Sequence, residues 1–152
     1  MDCAVEIVEA TPHDAPAIAD IHLIARRVAM PYLARPHSDD ETRAWFAARV
    51  GDRPAAWWVA RRGQRTIGYI LIDGEEVDHL YVHPDSQGKG VGTALLRKAF
   101  SLSRRRIWLA TAQRNTRARA FYEKHGFRAT AFTDGDNEER EPDVYYTWEP
   151  PG

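Results

Sequence analysis

The sequence predicts a single α+β domain, and three observations carry that prediction. Segments that alternate apolar and polar residues in the manner of strands are interleaved with segments whose apolar residues recur at helical spacing. Three strand-like segments, at about 56–62, 66–72 and 76–83, follow one another with only turn residues between them, the mark of an antiparallel meander. No linker, repeat or low-complexity stretch interrupts the 152 residues, so 1–152 reads as one domain long enough to bury a sizeable core.

The elements follow in order. Residues 3–9 set Cys3, Val5 and Ile7 against Ala4, Glu6 and Val8, a strand alternation. Thr11 and Pro12 start a helix: threonine caps free N–H groups, proline suits the first turn, and Asp14 falls three residues after the cap. Ile18, Ile21, Ala25 and Val28 then recur on one face. The stretch Pro31 to Pro36 breaks the pattern. Ser38 with Glu41 is a capping-box signature for a second helix carrying Trp45, Phe46 and Val50, which Gly51 and Pro54 end. In the meander, Gly63 and Gln64 suit a tight hairpin turn. Val91, Leu95, Leu96, Ala99 and Phe100 give a helix from 88 to about 103. A strand at 107–111, a helix from about 116 to 125 stopped by Gly126, and strands near 127–133 and 143–148 complete the chain.

Composition narrows the function. A net charge of -1 gives no bulk electrostatic reason to expect a nucleic acid or an acidic membrane as partner. Cys3 is the one cysteine, so neither an intramolecular disulfide nor a cysteine-rich metal site can form, and no metal is expected. The N-terminal MDCAVEIVEA lacks the positive start of a signal peptide, and no apolar run approaches the ~20 residues of a membrane span. The expectation is a soluble cytoplasmic protein acting on a small molecule or peptide. A homodimer is left open.

The most informative segment is LYVHPDSQGKGVGTALL, which runs from an apolar strand into an amphipathic helix and places Gly88, Gly90 and Gly92 at the helix start. The first N–H groups of a helix lack internal partners and sit at the positive end of its dipole, while glycine lets phosphate oxygens approach the backbone. The spacing matches neither GxxxxGK followed by Ser or Thr nor GxGxxG, so a P-loop and a dinucleotide fold are both excluded. The order from Gln87 to Gly92 is instead Q-x-x-G-x-G, which resembles the acyl-CoA loop of the GNAT superfamily of N-acetyltransferases. The succession of elements along nearly the whole chain is similar to that family's as well.

That resemblance implies a GNAT fold, a mixed central sheet with flanking helices, with acetyl-CoA as cosubstrate. By position, Leu80, Tyr81 and Val82 would lie along the pantetheine arm. Gln87, Gly88, Lys89, Gly90, Val91, Gly92 and Thr93 would form the pyrophosphate loop. The stretch ATAQRNTRARAFYEKHGF resembles the family's second signature, and implies that Asn115 orients the cosubstrate while Tyr122 protonates the departing thiolate as general acid. Seven residues are close to two helical turns, so both side chains can reach one side of the helix. The sequence departs from the family at Ala110, where many relatives carry a glutamate that serves as base. Glu76, Asp78 and His79 lie on the preceding strand, where alternation sends His79 to the face opposite Asp78 and Leu80; His79 is the first choice of proton acceptor, acting through a water.

The acceptor side is less legible. Six of the ten residues from Asp134 to Asp143 are acidic, and TDG followed by NEExxPD resembles the ending of one uncharacterised GNAT group that also carries an MPYL segment, matched here by Met30 to Leu33. Together the two segments would wall an acceptor pocket suited to a cationic primary amine. Arg114 and Arg117 could neutralise the 3′-phosphate of coenzyme A. Arg104, Arg105 and Arg106 read as a solvated helix end rather than an RNA patch, and the five tryptophans as core or cleft aromatics. The function expected is acetyl transfer from acetyl-CoA to a primary amine by direct attack in a ternary complex. The rival is a non-catalytic acyl-CoA-binding module, which Ala110 keeps open.

Overall fold

A computed structural model describes residues 4–103 and 105–151; Cys3, expected in the first strand, and Arg104, expected at a helix end, lie outside the described residues. The chain forms β1 (Val5–Glu9), α1 (Ala15–Ala29), α2 (Asp39–Arg49), β2 (Ala56–Arg62), β3 (Arg65–Asp73), β4 (Glu76–Val82), α3 (Val91–Leu102), β5 (Ile107–Ala112), α4 (Thr116–Lys124), β6 (Arg128–Phe132) and β7 (Asp143–Trp148). One seven-stranded sheet runs in the order β1-β2-β3-β4-β5-β7-β6. Every neighbouring pair is antiparallel except β4 with β5, so the sheet is mixed.

The two faces of the sheet carry separate cores, because alternate side chains on each strand point to opposite sides. On one face Ile18 and Ile21 of α1 and Phe46 of α2 bury against Trp57, Val59, Tyr69 and Leu71. On the other, Leu95, Leu96 and Ala99 of α3 and Tyr122 of α4 bury against Ile70, Ile107, Leu109 and Val144. Truncating a side chain as enclosed as Leu95 costs about 2–5 kcal/mol.

The caps form as expected, with two differences at helix starts. Ser38 Oγ accepts from Glu41 N–H at 3.1 Å and Glu41 Oε1 accepts from Ser38 N–H at 3.0 Å, the reciprocal box. Thr11 N–H donates to Asp14 Oδ2 at 2.8 Å, but Pro12–Asp14 is a separate 3-10 turn and α1 begins at Ala15. Asp14 is buried and pairs with Arg61 at 2.5 Å. α3 starts at Val91, not 88, because Gly88 and Gly90 take φ of +75° and +83°, which a right-handed helix excludes. Ile18, Ile21 and Ala25 are buried on α1, whereas Val28 is 60% exposed and lies off the apolar face. Phe127 is a buried residue before β6, and β6 is an exposed edge strand. Among the described residues, no helix is long and apolar enough to cross a membrane.

Candidate active site

The sheet splits where its one parallel pair lies. β4 and β5 share a single register pair, Glu76 with Trp108, backed by Trp108 N–H donating to Glu75 O at 2.9 Å. Beyond that rung the strands part, and a cleft of about 440 Å³ opens between them, lined by Leu80, Val82, Gly90, Ala110, Asn115 and Tyr122 among others. α1 closes its other side with Ala25, Ala29 and Met30. The register of β3 on β4 slips between Leu71–His79 and Ile72–Val77, leaving Asp78 as an extra residue, a β-bulge at the mouth of the split. The bulge changes the phase of β4, so Val77 joins Leu80 and Val82 against the α3 core, while His79 packs on the α1 side.

The edge of β4 facing the gap is a row of backbone groups. His83 N–H donates to Ile67 O at 2.8 Å, so alternation turns the N–H groups of Val82 and Leu80 away from β3 and toward the cleft. Gln87 Nε2 donates to Val82 O at 3.0 Å and ties the glycine loop to the strand end. From Gly88 to Thr93, no described residue accepts a hydrogen bond from a backbone N–H; the first intrahelical bond is Ala94 N–H to Gly90 O at 3.0 Å. A Cβ built on Gly88 or Gly90 meets nothing within 4 Å, so the loop faces open space and its glycines serve left-handed φ. Gly92 is different: a Cβ there lies 3.4 Å from the Phe121 ring, at the contact of α3 with α4. This row of donors at the start of a twelve-residue helix fits a pyrophosphate. Lys89, also assigned to the loop, is exposed.

Asn115 is the N-cap of α4, its Oδ1 accepting from Ala118 N–H at 3.2 Å, and it lines the cleft. Tyr122, two helical turns on, also lines the cleft and is otherwise buried. No described residue hydrogen-bonds its hydroxyl. Burial, then the neighbouring Tyr81, pushes its pKa up, so the phenol stays protonated at neutral pH. Arg117 and Lys124 of α4 border the same cleft.

His79 is placed elsewhere. It is enclosed by the rings of His22, Trp45, Phe46, Trp57 and Tyr69, and does not line the cleft. Its Nδ1 lies 2.9 Å from Tyr69 Oη, which lies 2.9 Å from His22 Nδ1. Burial first, then Arg26, pushes its pKa down to about 3, and His22 falls to about 2 for the same leading reason. Both imidazoles are neutral at pH 7 and poor proton acceptors. Alternation correctly separates His79 from Leu80, but the face it reaches is covered by α1 and α2.

The acidic loop pairs with residues on either side of the MPYL segment and reaches that segment through Arg114. Glu139 pairs with Arg26, Glu138 with His37 at 2.6 Å, and Glu141 takes two bonds from Arg114 at 2.6 and 2.7 Å. Arg114 also lies 3.8 Å over the Tyr32 ring. These glutamates and that aromatic face are therefore committed within the protein, and Arg114 is not directed at a phosphate. Arg26, which the sequence did not single out, also donates to Tyr81 Oη at 2.6 Å, and Tyr81 lines the cleft. Asp78 borders the cleft without a hydrogen-bond or ion-pair partner among the described residues.

A mixed sheet split at its parallel pair, with a row of unengaged backbone N–H groups and a protonated phenol on one cleft, is an arrangement that fits a phosphate-bearing ligand along a strand edge. The chain belongs to the acetyltransferase (GNAT) family, whose model matches residues 20–127. It is 34% identical to peptidyl-lysine N-acetyltransferase YjaB of Salmonella typhimurium over 64% of this chain and 58% of that protein, so the match spans less than two thirds of the relative. The fold is similar to the solution structure of apo YjaB from Escherichia coli, with TM-score 0.78, 22% identity, and 95% and 97% of the two chains covered. It is also similar to YncA, a putative acetyltransferase from Salmonella typhimurium solved with acetyl-CoA, with TM-score 0.69, 24% identity, and 96% and 94% covered.

Proposed function

We propose that this protein transfers an acetyl group from acetyl-CoA to a primary amine of a small molecule or peptide, by direct attack in a ternary complex. One observation carries the reading: a single cleft collects the unengaged N–H groups of Gly88 to Thr93, the outward N–H groups of Leu80 and Val82, and the Tyr122 side chain. The relative named a peptidyl-lysine N-acetyltransferase and the acetyl-CoA-bound YncA support it.

Acetyl-CoA supplies the acyl group already activated as a thioester. The chain's task is positioning and charge. The glycine loop takes the pyrophosphate on backbone donors without a cationic side chain. Leu80, Tyr81 and Val82 hold the extended arm as a strand edge holds a neighbour. The N–H of Val82 polarises the carbonyl, and Asn115 orients the thioester end from the start of α4. Tyr122 donates to sulfur as the C–S bond breaks. Between an ordinary phenol near ~10 and a thiol near ~8.5, full transfer is uphill by ~1.5 units or roughly 2 kcal/mol; burial raises the Tyr122 pKa, which keeps the donor protonated and makes full transfer steeper than that.

On the acceptor side we read the chain as one of the group sharing the TDG/NEExxPD ending and the MPYL segment, whose two segments are linked here by Arg114, which stacks on Tyr32 and pairs with Glu141. Within the acidic loop, Glu139 and Glu141 are paired with Arg26 and Arg114 and are not available to a cationic acceptor.

The test is acetyl-CoA turnover across free amines, amino acids, polyamines, aminoglycosides and peptides, read as thiol release. Turnover with a primary amine is expected. Stoichiometric acetyl-CoA binding without turnover on any amine overturns the reading in favour of a binding module.

A further inference from the structure

We propose that Arg26 is a positioning residue that couples the cosubstrate strand to the acidic loop: one guanidinium joins Tyr81 of β4 to Glu139 of the β6–β7 connection, so that filling the cleft steadies the loop. The assignment rests on the acyl-CoA-binding part of the reading above.

The join is built from one side chain. Arg26 Nη1 donates to Tyr81 Oη at 2.6 Å, and Nη2 donates to Glu139. These partners lie 55 and 113 positions away in sequence, so α1, β4 and the loop meet at a single planar group. Arginine suits that task because its fork presents separate N–H groups in fixed directions, whereas a lysine is a point charge on a flexible stem. The same helix closes the cleft with Ala25, Ala29 and Met30, so the join sits directly beside the cleft wall.

Each end of the join is held. Tyr81 lines the cleft, and its ring packs against those of His22 and Tyr69 at centroid distances of 5.2 and 5.9 Å. Close packing leaves the ring little freedom to swing away from the guanidinium. At the other end the loop is closed at its base and braced inside. Thr133 N–H donates to Asp143 O at 2.9 Å, Asn137 Nδ2 to Glu141 O at 2.7 Å, and Glu141 N–H to Asn137 Oδ1 at 3.1 Å. A loop so braced shifts as a body, and its ties to the rest of the chain decide where it rests.

Among the described residues three ion pairs make those ties, from Glu138 to His37, from Glu139 to Arg26 and from Glu141 to Arg114. Only the middle one continues to the cleft. His37 turns to Glu41 and Arg114 to the Tyr32 ring, neither of which lines it, whereas Arg26 turns to Tyr81. A cosubstrate laid along Leu80, Tyr81 and Val82 restrains Tyr81 and, through it, the guanidinium. Less freedom then remains to be lost in holding Glu139, so the loop is steadied, and linkage makes the effect reciprocal.

The experiment reads amide hydrogen exchange between Thr133 and Asp143 on the intact chain, with and without coenzyme A, beside calorimetry of coenzyme A binding. In the wild type, saturating coenzyme A is expected to slow exchange there about fivefold or more, the lower end of ordinary coupling between sites. Arg26→Lys keeps the charge and loses the fork; Tyr81→Phe keeps the packed ring and loses the hydroxyl. In both, the slowing is expected to vanish while coenzyme A still binds. A purely structural role for Arg26 would instead speed exchange equally with and without coenzyme A. Undiminished slowing in both variants overturns the coupling, as does wild-type loop exchange indifferent to bound coenzyme A. Failure of the wild type to bind coenzyme A overturns the acyl-CoA reading and the coupling with it. Binding with a steadied loop but no turnover on any amine overturns acetyl transfer alone.

Discussion

Thr93 Oγ1 lies 3.2 Å from His125 Nε2, joining the first turn of α3 to the end of α4. The glycine loop and the tyrosine helix are therefore braced against each other at the surface as well as through the Gly92–Phe121 contact beneath. A change on either helix is felt on both halves of the cleft, so binding and turnover need to be measured separately.

The loop prediction separates strain from charge. Gly90→Ala and Gly90→Asp both place a side chain at φ +83°, a backbone penalty of about 1–2 kcal/mol, and neither Cβ meets a neighbour. Gly90→Asp alone brings a negative charge to the donor row. Calorimetry is expected to show acetyl-CoA binding weakened at least about tenfold more by the aspartate than by the alanine. Equal affinities for the two variants would falsify the anion-site assignment.

For Tyr122, the expected split is in kcat. Tyr122→Phe preserves the ring that packs near Phe127 and Tyr146 and removes one hydroxyl. Turnover is expected to fall about 100-fold while acetyl-CoA affinity stays within about twofold. A variant that turns over like wild type removes tyrosine from the mechanism.

Asp78, on the cleft lining, carries a stability prediction that depends on pH. Its folded pKa is raised above the unfolded value, so the native state binds more protons between the two and stability falls as pH rises through that window. The penalty is absent below the unfolded pKa and complete above the folded one. Asp78→Asn is therefore expected to raise Tm at pH 7 and leave it unchanged near pH 3, as thermal melts at the two pH values would show.

The ion pair of Arg114 with Glu141 runs the other way. Hydrogen bonds from Arg114 hold the Glu141 carboxyl below its ordinary pKa, so this contribution is present above the unfolded value and lost as pH falls through the folded one. Arg114→Ala is expected to lower Tm at pH 7 more than near pH 3, and to speed proteolytic cutting between Thr133 and Asp143. Equal losses at both pH values would show that the Tyr32 stacking, not the charge, carries the effect.

The legible part of this molecule was local. Gln87 to Gly92, the Ser38–Glu41 box and the meander are written in consecutive residues, and each forms where its spacing puts it. What escaped depends on partners distant in sequence. Glu139 meets Arg26 across 113 positions, so the spacing of the acidic run gave no sign that this glutamate is held by an arginine of α1. His79 was given the correct side of its strand, but strand alternation says nothing about which helices cover that side. The bulge at Asp78 is an irregularity that no period-two pattern registers, although alternation did put Asp78 on the side of Leu80.

The single rung between Glu76 and Trp108 has a mechanical meaning. Backbone bonding is continuous from β1 to β4 and again from β5 through β7 to β6, but it stops almost at once between the two blocks. What holds them side by side is the packing of α3 and α4 beneath. A ligand laid along Leu80 and Val82 adds hydrogen bonds where the ladder ends, so it acts as a guest strand that stitches two half-sheets into one. Slowed amide exchange at those two residues is the direct signature of that closure.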